Sequence, residues 1–382
     1  MIHDCHDDGV EIVRVGVWAI SAAIMTDASK HAELDPLCAK TNLAASAAVA
    51  REWAKILPKY REPSHARSVL ELLVTAGGFA GLWFMSWAAL GVSSWLSLLT
   101  VLPAAGFLVR LFMIQHDCGH GAFFRGRAAN DWVGRAIGAL TLTPYDVWRR
   151  SHAIHHASSG NLERRGIGDI TTLTVQEYLA LSRWRRLRYR LYRNPIVMFG
   201  LGPACLFLFQ HRLPPACFMR GGLQPWLSTM ATNAAIALVI LGMMWLVGVE
   251  PFLLVHLPIT LLAASIGVWL FYVQHQFGET FWANAPVWTV HNAALRGSSH
   301  YDLPGPLRWF TANIGVHHVH HLCSRIPFYR LPHVLRDHPE LGVIGRLTLL
   351  QSLGCVPLVL WDERHQRLIS FGDLRRSSAF GS

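Results

Sequence analysis

Four stretches of the chain are apolar on every side, with no polar face at helical spacing: residues 69–90, 96–115, 226–248 and 252–273. Each has the roughly 20 residues that a helix needs to cross a bilayer. A helix apolar all round belongs in a core or a membrane, not at an aqueous surface. The stretches fall into two close pairs. GVSSW separates the first pair, and a few residues around 249–251 separate the second. The pattern predicts an all-α integral membrane fold with four spans in two hairpins. Charge inside the spans is sparse. Glu71 and Arg110 lie in the outer thirds of theirs, where each can snorkel or face the bundle interior. His256 and Pro258 fall early in the fourth span.

Two weaker apolar runs, 132–142 and 195–210, lie between the pairs. Both are short for a span and read as amphipathic or interfacial helices. Between them SRWRRLRYRLYR, residues 182–193, carries arginine and aromatics at helical spacing. It reads as a juxtamembrane helix on anionic lipid, and the same face suits an acidic partner. Residues 116–225 hold fifteen arginines against six acidic residues, while the two short connectors hold no lysine or arginine. The positive-inside rule then makes this long loop cytoplasmic. Both hairpins start and end on that side, as do both termini, and for a bacterial chain the membrane is the inner one.

Composition supports this reading. Of the 382 residues 52% are hydrophobic and fifteen are tryptophan, while 15% are charged where a soluble domain carries about 25%. Two or three soluble domains are therefore excluded. The net charge of +10 does not point to nucleic acid. All four lysines (Lys30, Lys40, Lys55, Lys59) precede the first span, and the arginines cluster between apolar runs. Seven scattered cysteines with no CxxC pair argue against a disulfide framework or a thiolate zinc site. The N-terminal MIHDCHDDGV is acidic, unlike a secretory signal. Translation starting at Met25 would make residues 1–24 an upstream extension. The expected organisation is then a cytoplasmic segment over 25–68, a membrane domain over 69–335 and a cytoplasmic tail over 336–382.

The candidate chemistry is histidine, 21 residues in all. HDCGH supplies His116 and His120. HAIHH supplies His152, His155 and His156, and HHVHH repeats the HxxHH pattern with His317, His320 and His321. Residues three and four apart share a helix face, so each cluster can turn its imidazoles to one side. The arginine-defined topology brings all three clusters to the same membrane face. Neutral imidazole binds iron, copper, zinc and nickel. One zinc site needs only three or four ligands, so eight imidazoles imply two metal ions. A carboxylate di-iron site would show Glu-x-x-His motifs, and none occurs. A cytoplasmic helical cap holding a histidine-dominated di-metal centre is expected, with iron the metal if dioxygen is used. His275, in FYVQHQF at the end of the fourth span, is placed to add a ninth ligand. His318 falls between matching positions and is left out, as are His291 and His300. Asp146 and Asp169 flank the second cluster and could each accept an imidazole N–H; Asp169 is preferred. Asp117 is expected to point to another face, and Cys118 to pack.

The three motifs resemble the histidine boxes of the membrane fatty acid desaturase family in order, spacing and placement around two helical hairpins. WRRSHAIHHASSGNLERRGIGDITTLTVQEY, GSSHYDLPGPLRWFTANIGVHHVHHLCSRIPFYRLP and KYREPS resemble the bacterial acyl-lipid desaturases of the omega-6 (delta-12) type. The resemblance covers roughly residues 52–335. It implies a non-haem di-iron centre that uses dioxygen and two electrons to insert a cis double bond into an acyl chain. The substrate would be an acyl-lipid or acyl-thioester. No GxGxxG fingerprint and no fused b-type cytochrome segment occurs, so a separate ferredoxin or b-type cytochrome is implied as donor. Front-end desaturases carry such a fusion and replace the first histidine of the third box with glutamine; here it is His317. Oligomeric state is not legible. The rival readings are an omega-3 desaturase, or a hydroxylase of acyl chains, alkanes or carotenoids with the same boxes. A histidine-rich metal transporter would need polar residues along its spans, and these spans are nearly free of them.

Overall fold

A computed structural model describes residues 36–219 and 222–379; residues 1–24, the possible extension, lie outside the described residues. The chain is mostly helical. Its long helices are α1 (Pro36–Ile56), α2 (His65–Leu90), α3 (Ser94–Gly119), α4 (Arg127–Leu140), α5 (Tyr145–Ser158), α6 (Arg183–Tyr192), α7 (Leu223–Val247) and α8 (Val249–His275). Two short helices matter for the site, α9 (Val290–Arg296) and α10 (His317–Leu322). Among the described residues four helices are long and apolar enough to cross a membrane: α2, α3, α7 and α8. They match the four stretches predicted from the apolar pattern to within a few residues at each end; α7 stops one residue short of the predicted 248.

Local chemistry sets the ends of these helices. The Ser64 hydroxyl accepts the Arg67 N–H to cap α2, and the Ser93 hydroxyl accepts the Trp95 N–H to cap α3. A single residue, Gly248, joins α7 to α8. Its φ of +90° is in the left-handed region that glycine enters at no steric cost. α3 packs along both α2 and α8 and is the central helix. Over its most apolar window 56% of residues are buried, against 6% for α7. The outward positions are large and apolar (Leu73, Leu99, Leu238, Trp245) and well exposed. Such a surface suits lipid, because large contiguous apolar patches are rare in water.

The run 132–142 falls largely within α4, where Trp132 is exposed. The arginine-rich segment forms α6 and continues after a break into the helical stretch 197–219, with a bend of 61° between them. The chain is not wholly α. Among the described residues five strands of two or three residues form, β1 (Leu173–Thr174), β2 (His300–Asp302), β3 (Arg346–Thr348), β4 (Leu360–Asp362) and β5 (Arg367–Ile369). β1 pairs parallel with β4, β2 parallel with β3, and β4 antiparallel with β5. These pairings fasten the C-terminal residues to the body. Arg193 completes the fastening: its guanidinium donates to Gln276 Oε1 at 3.0 Å and to the Leu358 carbonyl at 2.8 Å.

Candidate metal centre

α3 does not stop at the end of its apolar stretch. It runs on to Gly119, which puts His116 and His120 on one face, one turn apart. The second box is helical within α5, and the third is the six-residue α10. His275 is the last residue of α8. The ends of α3 and α8, with α5 and α10 between them, meet in one cluster of nine imidazoles.

The cluster divides into two groups. In the first, ring nitrogens of His116, His120, His152, His156 and His320 lie within 4.8 Å of one another. In the second, the same holds for His155, His275, His317 and His321. All eight box histidines are therefore brought together, and His275 joins them. The partition follows helical geometry. Positions i and i+4 are nearly in line, whereas i+3 and i+4 diverge by about 100°. Box two thus sends His152 and His156 to the first group and His155 to the second. Box three does the reverse, sending His317 and His321 to the second group and His320 to the first. The expectation that each HxxHH turns all three rings to one side is corrected accordingly. The groups adjoin where the rings of His156 and His321 stack 4.0 Å apart at an interplanar angle of 11°.

The nitrogen geometry fits metal ions. His155 Nε2 and His317 Nε2 each lie 3.1 Å from His275 Nε2, and His321 Nε2 lies 3.2 Å from His317 Nε2. In the first group His156 Nε2 is 3.1 Å from His152 Nε2 and 3.2 Å from His320 Nε2. These cannot all be hydrogen bonds. A carboxylate or a carbonyl only accepts, so His155 Nδ1 carries the proton it gives to Asp169 Oδ1 at 2.5 Å, and His275 Nδ1 the one it gives to the Gly297 carbonyl at 3.2 Å. In the neutral rings both Nε2 atoms are then bare lone pairs facing each other, an arrangement that a cation between them relieves. Donors at this separation set at right angles would lie ~2.2 Å from a common centre, close to the ~2.0–2.1 Å of a zinc–imidazole bond. His120 Nε2 is likewise buried with no hydrogen-bond partner.

Burial disfavours the charged form of six of these rings. His120, His152, His156, His317, His320 and His321 are all held well below the ordinary histidine value of 6.5. Loss of solvation of the charged form comes first, and repulsion from the neighbouring imidazoles second. Deprotonated nitrogens are what a metal requires.

Other histidines lie elsewhere. His318 is fully buried but turned away from both groups, 5.8 Å from the ring of His300, and burial pushes it down to about 3. His300 donates from Nδ1 to the Gly342 carbonyl. His291 is in neither group. Asp169 does accept from an imidazole, whereas Asp146 is taken up by Arg135 and Arg149. Asp117 is nearer the site than expected. Its Oδ2 accepts the Phe328 N–H at 2.7 Å, and its Oδ1 stands 3.4 Å from His116 Nδ1. Sequence reasoning treated Glu71 and Arg110 singly; they pair at 2.5 Å inside the bundle. One charge on each of two adjacent spans was the signal that could have revealed the pair.

Paired imidazole cages at the end of an apolar helix bundle define a class, the membrane proteins able to carry a metal centre. Comparison with known proteins narrows it. The family model described as "Fatty acid desaturase" matches residues 93–343. A Bacillus subtilis protein named "Fatty acid desaturase" is 43% identical over 84% of this chain and 90% of its own length. The Synechocystis "sn-1 acyl-lipid omega-3 desaturase (ferredoxin)" is 28% identical over 71% of this chain and 74% of its own. The "sn-1 oleoyl-lipid 12-desaturase" of the same organism is 27% identical over 72% and 77%. The chain belongs to the fatty acid desaturase family, and membership makes it an oxidoreductase of lipid metabolism.

Proposed function

We propose that this protein inserts a cis double bond into the acyl chain of a membrane lipid, at the omega-6 (delta-12) position, using a di-iron centre held by the nine histidines. The observation that carries the reading is the pair of imidazole groups whose Nε2 lone pairs face one another. His116, His120, His152, His156 and His320 would hold one ion, and His155, His275, His317 and His321 the other. Iron supplies the one thing the side chains lack, an oxidant drawn from dioxygen that is strong enough for an unactivated C–H bond. The residues supply placement. Asp169 and the Gly297 carbonyl fix the Nδ1–H tautomers of His155 and His275, which orients both rings and raises their basicity. Burial disfavours the protonated form of His120, His152, His156, His317, His320 and His321. The reaction balances as one CH2–CH2 unit, one O2, two electrons and two protons giving one CH=CH unit and two waters.

Topology supports a site at the cytoplasmic surface. The C-terminal ends of α3 and α8 meet in one histidine cluster, so both lie on one side of the bilayer, and the arginine-rich loop assigns that side. Two hairpins entering from the cytoplasm satisfy both facts, with the boxes and both termini on that side of the bacterial inner membrane. The two electrons would come from a separate ferredoxin or b-type cytochrome. Relatives from Synechocystis and Nostoc carry ferredoxin in their names, and the arginines of the loop suit an acidic donor.

The alternative with a specific observation behind it is omega-3 desaturation, because the omega-3 and 12-desaturase relatives are about equally similar. One experiment separates the readings. The gene is expressed in a host that makes saturated and monounsaturated lipids, and fatty acids are analysed by gas chromatography and mass spectrometry. A new diene with its second bond six carbons from the methyl end is the expected product. A double bond elsewhere overturns the assigned position alone. A hydroxy acid, or no product with a competent donor, overturns the reaction.

A further inference from the structure

A pair of opposite charges lies inside the membrane-spanning helices and out of contact with solvent. Glu71 of α2 and Arg110 of α3 are 5% and 1% exposed. Unpaired, either would be expensive in a bilayer, and intramembrane ion pairs mark function more often than stability. Their partners here show what they hold. Arg110 Nη2 pairs with Glu71 Oε2 at 2.5 Å, while Arg67 Nη2 pairs with Glu71 Oε1 at 2.6 Å. Arg110 Nε donates to Thr75 Oγ1 at 3.2 Å. The remaining amino group, Nη1, donates to the backbone carbonyl of Trp309. The guanidinium also lies over the rings of Trp309, at 4.0 Å, and Phe328, at 5.0 Å. Trp309 and Phe328 bracket the third histidine box on its two sides.

A second contact joins the same two pieces of chain. Asp117 Oδ2, on α3, accepts the backbone N–H of Phe328. The approach is close: a Cβ at Gly106, one turn before Arg110, would lie 2.8 Å from the ring of Phe310. The third-box segment is thus pinned to α3 at Gly106, Arg110 and Asp117, ahead of and beside His116. α10 has six residues and cannot set its own position.

We propose that Glu71 and Arg110 are positioning residues for one metal group only, the one that combines α3 with the third box. That group takes His116 and His120 from α3 and His320 from α10, and the rings of His116 and His320 are 4.5 Å apart. The other group takes nothing from α3. Its share of the third box is tied instead to α8, where Gln274 Nε2 donates to the Ile314 carbonyl at 3.2 Å beside His275. Loss of the ion pair therefore loosens the five-histidine group and leaves the four-histidine group intact. A pair that served only general stability would not tell the two groups apart.

This rests on the reading of the nine histidines as metal ligands. The test uses the full-length chain in detergent, stripped of metal and titrated anaerobically with ferrous iron. Iron per chain is measured, with thermal unfolding of the metal-free chain as the control for folding. Wild type should bind two ions. Arg110→Lys keeps the charge but loses the fork that spans Glu71, Thr75 and Trp309; Glu71→Gln keeps the shape but loses the charge. Each should keep one tight ion and bind the other about 10–100-fold more weakly. Adding Arg110→Lys to His275→Ala, which disables the four-histidine group, should leave no tight ion. Where the ion-pair variants do not fold, Thr75→Val, which removes one contact, must give the same selective weakening in milder form. Two tight ions in these variants, or equal weakening of both, overturns the proposal alone. A wild-type chain that binds no iron overturns the ligand reading and the proposal with it.

Discussion

Asp169→Asn is the sharpest test of how the second group is built. The carboxylate touches one ligand, His155, accepting its Nδ1–H at 2.5 Å, and its side chain is only 7% exposed. Asparagine has nearly the same shape. It removes the negative charge that strengthens this hydrogen bond, and its amide can also donate. A donating amide favours the other tautomer of His155, which puts the proton on Nε2, where a metal needs a lone pair. Loss of such a supporting carboxylate typically weakens metal binding by about 10–100-fold. Each factor of ten is about 1.4 kcal/mol, so the expected cost is ~1.4–2.8 kcal/mol for one ion. The other ion should be untouched, because Asp169 contacts no member of the five-histidine group. The assay is a chelator competition on the iron-loaded protein, following iron per chain. Wild type and variant should release one ion at the same chelator concentration, and the variant should release the other about 10–100-fold earlier. Two unshifted curves, or two curves shifted together, would refute the division of the histidines into separate groups.

Three further outcomes follow from the same geometry. His317→Ala removes a ligand from the four-histidine group and should cost one ion per chain, whereas His318→Ala, one residue away but turned toward His300, should keep both; iron content of the purified variants decides it. The metal-free chain should lose thermal stability on acidification. Its cage histidines outside the spans are held well below 6.5 in the folded state, so the unfolded chain takes up protons first, stability is complete above about 6.5 and falls as pH drops through and below it. A melting temperature that stays flat down to pH ~5 would contradict this. Arg193→Leu should destabilise the protein by about 1–3 kcal/mol, since it strips charged donors from Gln276 Oε1 and the part-buried Leu358 carbonyl. Thermal unfolding measures the loss, and limited proteolysis should find the C-terminal strands opening first.

The spans were legible because a long apolar run is a local signal: the run of 226–248 is read without reference to another part of the chain. The boxes were legible for a related reason, since i, i+3 and i+4 spacing is read along one helix. What the sequence hid is what depends on two helices at once. Adjacent ligands such as His155 and His156 are about 100° apart on a helix, so they could never have shared an ion. The spacing held that information, but only the crossing of α5 and α10 decides which ring goes to which group. His275 was legible as a candidate from its place at the end of the fourth span, but which group it joins depends on where the end of α8 meets the third box. Glu71 and Arg110 each read as a single charge that could snorkel or face the bundle interior, because nothing local says that position 71 of one helix faces position 110 of the next.

The short strands were hidden for a different reason. Two or three residues are too few for an alternating pattern, and the β1–β4 and β2–β3 pairings join residues dozens to nearly two hundred positions apart, as Leu173 and Leu360. These non-local ties matter to the site all the same. Arg193 reaches from the end of α6 to Gln276, the neighbour of His275. It also donates to Leu358, two residues before β4. The fastening that closes the C-terminal layer thus bears on the residue next to a ligand of the four-histidine group, while the Glu71–Arg110 pair bears on the five-histidine group through Trp309 and Phe328. A buried arginine thus lies near each group of imidazoles, Arg110 within the membrane-spanning bundle and Arg193 at its end. Selective damage to one ion or the other is therefore the behaviour this architecture demands.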